Sequence, residues 1–298
     1  MSATASAPLS GKARLTPRQR FWHRARHHRG FVFGAVVLAT IVAVAIFAPL
    51  IAPHDPYLQV LSDRMQPPVF LGGTWHHPLG TDALGRDYLS RLLYGARISL
   101  LIGLVAATIS AVIGTTLGIL AGYFGGRVDT VVTFLINVRL ALPVVLVALA
   151  VVALLGGSLT VVVSVLGLLL WDRFAVVLRS ATRQVRTIEY VAAAEVLGAS
   201  LPRILYKDIL PNIANHLIVI ATLEMAHAII LEAALSFLGL GVQPPLPSWG
   251  LMISEGKAML LFQSWLITIP GVALFLLVLA INMFGDGIRD VTTPEGRD

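Results

Sequence analysis

Residues 31–51 run for 21 positions without a charged side chain. A helix needs ~20 apolar residues to cross ~30 Å of hydrocarbon, so this stretch alone restricts the chain to a membrane architecture. Five further apolar stretches follow, at 97–122, 131–155, 159–178, 216–240 and 262–284. Lipid offers no partner to a bare backbone amide, so spans of this length and continuity are expected as helices. The first run is too long for a secretory leader's apolar core, and Pro49 and Pro53 close it, so it reads as a retained span. Arg139 and Pro143 interrupt the third span. The expected fold class is all-α, a membrane protein of six transmembrane helices.

Charge agrees with hydropathy. Charged residues make up 13 % of the chain, against ~25 % in soluble domains. The formal net charge of +6 could suggest nucleic acid, but seven of the 22 Lys and Arg precede residue 30, directly ahead of the first span. That is a flank facing anionic lipid, and no reader motif or aromatic-interleaved basic surface accompanies it. Membrane lipid is therefore an expected partner and nucleic acid is not. With six spans and the N-terminus inside, the cytoplasmic segments hold fifteen Lys and Arg and the opposite side five. The orientation is N-in and C-in. The expected organisation is a disordered basic cytoplasmic tail (1–30), a first span (31–51) and an extracytoplasmic loop with a short helix (52–96). A five-span core (97–285) containing a cytoplasmic loop at 187–213 and a cytoplasmic tail (286–298) follow.

The loop at 187–213 is the most distinctive polar segment. Ala192, Ala193, Ala194 and Glu195 favour helix, Gly198 can end it, and Ala199 follows. Pro202 suits the first turn of a second short helix, with Ile209 and Leu210 at its far end and Pro211 just past its last turn. Two short helices at an angle make a knob that fits a cleft in a partner. The pattern resembles the EAA loop of ABC importer permeases, although Ala192 stands where that signature has a Glu.

A second constellation precedes span two. His77, Gly80, Thr81, Asp82, Gly85, Arg86 and Asp87 form a turn-rich segment whose charges, with Arg91, can satisfy one another. It is similar to the corresponding segment in permeases of the dipeptide, oligopeptide and nickel importers. Residues 231–250 resemble the same subfamily, and the long loop after span one suits its dipeptide "C" type. The resemblance implies the type I ABC importer fold in the cytoplasmic membrane of a prokaryote, as one subunit of an ATP-driven importer of short peptides. It further implies a homologous second permease subunit, two cytoplasmic ATPase subunits and an extracytoplasmic solute-binding protein. This chain would bind no cofactor itself, with ATP and Mg held on the ATPase subunits. A nickel or other small-solute permease is the alternative on the same scaffold. A proton-coupled secondary transporter is the alternative of another class, but the inverted repeats and paired broken helices common in such carriers are not seen.

Within the spans, Gly114, Gly118 and Gly122 repeat at a spacing that lets helices approach closely in lipid. Glu224, His227 and Glu232 lie inside the apolar stretch of span five, where an ionisable group costs ~2.5–3.5 kcal/mol on insertion scales. They are candidates either for the translocation path or for a hydrogen-bonded polar cluster between helices. Asp129 to Pro143 opens span three, with Arg139 an added charge. No metal site is expected. His23 and His27 sit among arginines that repel cations, and His76 and His77 carry no assigned role. Without cysteine, thiol chemistry is excluded. No phosphate-binding loop or hydrolase motif is present either, so the chain itself is expected to be non-catalytic.

Overall fold

The computed structural model describes residues 23–292, and among them the regular structure is helical. Helix α1 spans Arg29–Ile51, its first turn capped by the His28 ring, which accepts the Phe31 amide. Residues 23–27 are also helical, so this part of the basic tail expected to be disordered is ordered; positions 1–22 and 293–298 lie outside the described residues. After α1 the chain makes two short 3-10 turns, Leu61–Asp63 and Val69–Leu71.

Helix α2 runs unbroken over Tyr88–Phe124, its N-terminus capped by Asp87, which accepts the Ser90 amide. The short helix expected before span two is therefore the first turns of α2 itself. Arg91 obscured this in the sequence: its charge is matched by Asp82 of the preceding loop and also by Glu255, from a distant part of the chain. Span three is broken. Helix α3 (Gly126–Ala141) and helix α4 (Val144–Leu155) meet at 81°. Leu142 adopts an extended conformation, as expected for a residue preceding proline, and Pro143 opens α4.

Helices α5 (Leu159–Leu169) and α6 (Trp171–Arg186) together form the fourth span. The cytoplasmic helix α7 covers Glu189–Val196. Helix α8 then extends over Leu201–Phe237, followed by the short α9 (Trp249–Gly256) and by α10 (Trp265–Thr292). Among the described residues, five helices are long and apolar enough to cross a membrane, and six spans result if the bent pair counts as one.

One expectation about α8 is corrected. The second short helix of the cytoplasmic loop is not separate from span five, and Pro211 does not lie beyond its end. From Ile204 to Ile209 the helix widens into a π-turn, the Leu210 amide bonding back to the Leu205 carbonyl. Regular α geometry resumes at Leu210 with Pro211 in the first turn. A proline inside an α-helix removes a donor and crowds the turn before it. The π-turn absorbs that conflict and leaves the Asp208 carbonyl to Asn212 Nδ2, which donates at 2.6 Å.

Small residues determine how the helices meet. A Cβ placed on Gly114 would lie 2.3 Å from the Trp171 carbonyl oxygen, and one on Gly122 2.7 Å from that of Arg179. The glycine row of α2 therefore seats directly on α6. At the other edge α1 packs on α10, where Phe31 and Phe284 stack at 5.3 Å. The His28 imidazole meets Asp290 at 3.1 Å, which places both ends of the span set on one face, as an even number of crossings requires. Buried side chains including Ile102, Val152, Leu166 and Leu235 form the core between α2, α4, α5 and α8. Many apolar residues remain outward, among them Ile46, Leu146 and Phe275. Such a surface suits lipid or a second membrane subunit rather than water.

Candidate functional site

The cytoplasmic loop is a built structure. Helix α7 ends in a Schellman motif, with the Ala199 amide bonding the Ala194 carbonyl and the Gly198 amide that of Glu195, both at 3.0 Å. Gly198 takes φ +75°, the left-handed conformation this ending requires. No atom lies within 4 Å of where its Cβ would be, so the glycine is there for backbone geometry and not for space.

Beneath the turn, Val191, Ile204, Ile209 and Ile213 are buried in a cluster with Ile119, Leu178 and Val185 of α2 and α6. Ala194, Ala199 and Leu210 pack half-buried against the same cluster. Ala192, Ala193, Glu195 and Pro211 are exposed. Val196 and Leu197, which no motif singled out, are 87 % and 86 % exposed at the tip. Glu195 accepts a 2.6 Å hydrogen bond from the Tyr123 hydroxyl, and the Arg186 guanidinium lies 5.3 Å from the Tyr123 ring centroid. Asp129, at the start of α3, is paired with Arg179 and Arg183 of α6. The loop is thereby fastened to α2 and α6, and Asp129 in turn ties α3 to α6.

The extracytoplasmic segment forms a buried ionic knot. Asp82 accepts the Leu84 amide at 2.8 Å, the Arg86 amide at 3.0 Å, Arg86 Nε at 2.6 Å and Arg91 Nη1 at 2.5 Å. Glu255 of α9 completes it, accepting from Arg86 at 3.1 Å and from Arg91 at 2.7 Å. Arg91 is 1 % exposed, and two acids against two arginines leave the knot neutral. Glu255 escaped the sequence reading because it arrives from more than 160 residues away. Gly80 and Gly85 take positive φ, and a Cβ on Gly85 would meet the Val60 carbonyl oxygen at 1.9 Å. The Thr81 hydroxyl donates to the Asp63 carbonyl and accepts the Gln66 amide. Asp87 caps α2 and accepts His77 Nδ1 at 2.8 Å.

The three ionisable groups of span five separate into two environments. Glu224 is fully buried, meeting Arg173 of α6 at 3.1 Å and His227 at 3.3 Å. The Arg173 side chain is 56 % exposed, so this pair leads to open space. Glu232 is also fully buried but accepts from Ser236 at 2.7 Å and from Ser248 at 2.9 Å. It ties α8 to the cap of α9. Arg139, the added charge of span three, donates to the Leu169 carbonyl at 2.5 Å and lies 3.8 Å from Asp172. It therefore caps the break between α5 and α6, where a cation is favourable.

Residues 114–295 match the family model described as binding-protein-dependent transport system inner membrane component. The chain belongs to this family. Residues 16–68 of the permease match a second model, the N-terminal transmembrane domain of oligopeptide transport permease C. It is 41 % identical to the di/tripeptide transport system permease protein DppC of Pseudomonas aeruginosa, over 99 % of this chain and 98 % of that one. It is also 41 % identical to the dipeptide transport system permease protein DppC of Escherichia coli, with 98 % of each chain covered. The glutathione transport system permease protein GsiD of Pectobacterium atrosepticum is 37 % identical over 96 % of this chain and 94 % of its own. Among solved structures, an inward-facing conformation of the MetNI methionine ABC transporter aligns with a TM-score of 0.56 at 19 % identity. That alignment covers 68 % of the permease and 97 % of the solved chain, and the fold is that of an ABC importer permease. The permease is a multi-pass component of the bacterial inner membrane.

Proposed function

We propose that this permease carries short peptides inward as one of two homologous transmembrane subunits. Two cytoplasmic ATPase subunits holding ATP and Mg drive it, and an extracytoplasmic solute-binding protein delivers the cargo. The observation that carries the reading is the tip of α7. Val196 and Leu197 are exposed beside the Gly198 turn, on the face where the basic residues concentrate. Isolated exposed apolar residues need no explanation, but an adjacent apolar pair on a rigidly supported turn fits a partner's cleft. The relatives' names (di/tripeptide, dipeptide and glutathione) favour peptide over nickel as cargo.

In this mechanism closure of the ATPases displaces α7 through Ala192, Ala193 and the tip. The motion passes through the buried cluster into α2, α6 and α8, and the spans rock between inward-open and outward-open states. The path candidates are Glu224 and His227 with Arg173, whose guanidinium can meet a peptide carboxylate, while Glu232 holds α9 in place. The test is uptake of a labelled dipeptide into proteoliposomes carrying all subunits. Uptake should need ATP, persist with a protonophore and vanish in Gly198→Asp at normal membrane abundance. Protonophore-sensitive uptake without ATP would instead establish the secondary-transporter reading.

A further inference from the structure

His54 and the adjacent pair His76 and His77, 22 residues further along the chain, meet at the extracytoplasmic head of α2. His54 lies just past α1, His76 and His77 lie in the following loop, and one ring nitrogen of each comes within 4.8 Å of the other two. The ring centroids are 4.7, 4.7 and 4.6 Å apart. His76 Nδ1 and His77 Nε2 face each other at 3.1 Å, close to the ~3.3 Å between two nitrogens bound at ~2.05 Å to a tetrahedral Zn²⁺.

The surroundings fit a ligand set. Asp87 is 2 % exposed and takes the Nδ1 proton of His77 at 2.8 Å. That bond fixes the tautomer and aims the Nε2 lone pair at His76, the carboxylate–histidine arrangement that orients metal-binding imidazoles and raises their basicity. His54 Nδ1 is buried without a hydrogen-bond partner and lies 3.6 Å from the same carboxylate. An unpaired buried nitrogen is costly, and binding would use this imidazole. His76 is exposed, which leaves an approach from solvent.

We propose that His54, His76 and His77 bind one divalent transition-metal ion of the zinc class, with Asp87 orienting His77 and water completing the coordination. Neutral imidazoles suit Zn²⁺ and discriminate against Mg²⁺ and Ca²⁺, which take oxygen ligands. Because its ligands come from both ends of the loop, the bound ion staples residues 54–77 to the capped start of α2. The site is independent of which solute the permease carries.

The proposal is tested on the assembled complex without a polyhistidine tag, in a His23→Ala, His27→Ala background that removes other adjacent imidazoles. Zn²⁺ is titrated against a chromophoric chelator. The expected result is one more Zn²⁺ per permease than in the same complex carrying His76→Ala, and an affinity loss of about 100-fold or more in that variant. Second-shell changes alone cost 10–100-fold. His54→Ala should behave likewise, millimolar Mg²⁺ should not compete, and X-ray absorption should show nitrogen scatterers at ~2.0–2.1 Å. Because the His76 side chain is exposed, its loss should leave membrane abundance unchanged, and Zn²⁺ should raise the melting temperature only of the complex with all three histidines. Equal Zn²⁺ binding by the parent and both variants, or no binding by the parent below millimolar Zn²⁺, overturns it.

Discussion

Replacing Val196 and Leu197 together by serine tests whether the tip of α7 is a docking surface. Both side chains are almost fully exposed in this chain, at 87 % and 86 %, and α7 is held from below by the fully buried Val191. The substitutions should therefore cost the isolated permease little, as surface changes generally stay within ±0.5 kcal/mol. If each side chain enters a partner's cleft, its burial contributes about 1.5–3 kcal/mol. Losing both removes about 3–6 kcal/mol from assembly, or a ~10²–10⁴-fold weaker association at 1.4 kcal/mol per tenfold. The assay is co-purification of the ATPase subunits with the permease, alongside ATP-driven uptake in vesicles. A Gly198→Asn variant is the companion, since Asn tolerates the left-handed conformation and the space around this position is open. It should fold normally while placing a polar group at the tip. Full ATPase recovery and wild-type uptake in the double serine variant would refute the docking argument, whatever the behaviour of Gly198.

Other expectations follow from the same geometry. Asp82→Asn leaves the knot with one excess positive charge beside an arginine that is 1 % exposed. Breaking such a pair costs about 3–5 kcal/mol, to be seen as a large drop in melting temperature, and Asp82→Asn with Arg86→Gln should recover part of it; a single variant melting like wild type contradicts the knot. Gly118→Leu forces a side chain against the Ala175 carbonyl, 2.9 Å from the Cβ position, where overpacking costs about 1–3 kcal/mol or more. Immunoblots of membranes should show reduced permease, and normal abundance with normal melting would contradict the α2–α6 contact. Glu232→Gln should preserve uptake, because an amide oxygen can still accept from Ser236 and Ser248. Glu224→Gln should reduce uptake by removing the charge opposite Arg173, and the reverse pattern in transport assays would exchange their roles.

The membrane class, the orientation and the positions of most spans were legible because they depend on local hydropathy and on summed charge. So was the Gly198 turn, since a glycine after a run of alanines has few other uses. Boundaries failed where tertiary structure neutralised a local signal. Arg91 hid the start of α2 because Glu255 comes from a distant helix, and Pro211 looked like a stop because a π-turn leaves no trace in composition. The partner of the glycine row was equally unreadable, since spacing marks a face but says nothing about what covers it. His54 could not be joined to His76 and His77 by any spacing rule, because a loop bridged by irregular turns brings them together. The tip residues Val196 and Leu197 were passed over because an apolar pair beside spans looks ordinary until its exposure is known.

Helix α2 has a consequence beyond its packing. At 37 residues and 1.5 Å per residue it is a rod of about 55 Å, without a proline. One end is clamped in the Asp82–Arg91–Glu255 knot, beside the three histidines. The other carries Tyr123, which holds Glu195 of the cytoplasmic loop. A rod so fixed acts as a lever arm, and over that length a tilt of about 5° displaces one end relative to the other by roughly 5 Å. A small displacement at the cytoplasmic loop can thus be delivered across the bilayer along one continuous helix.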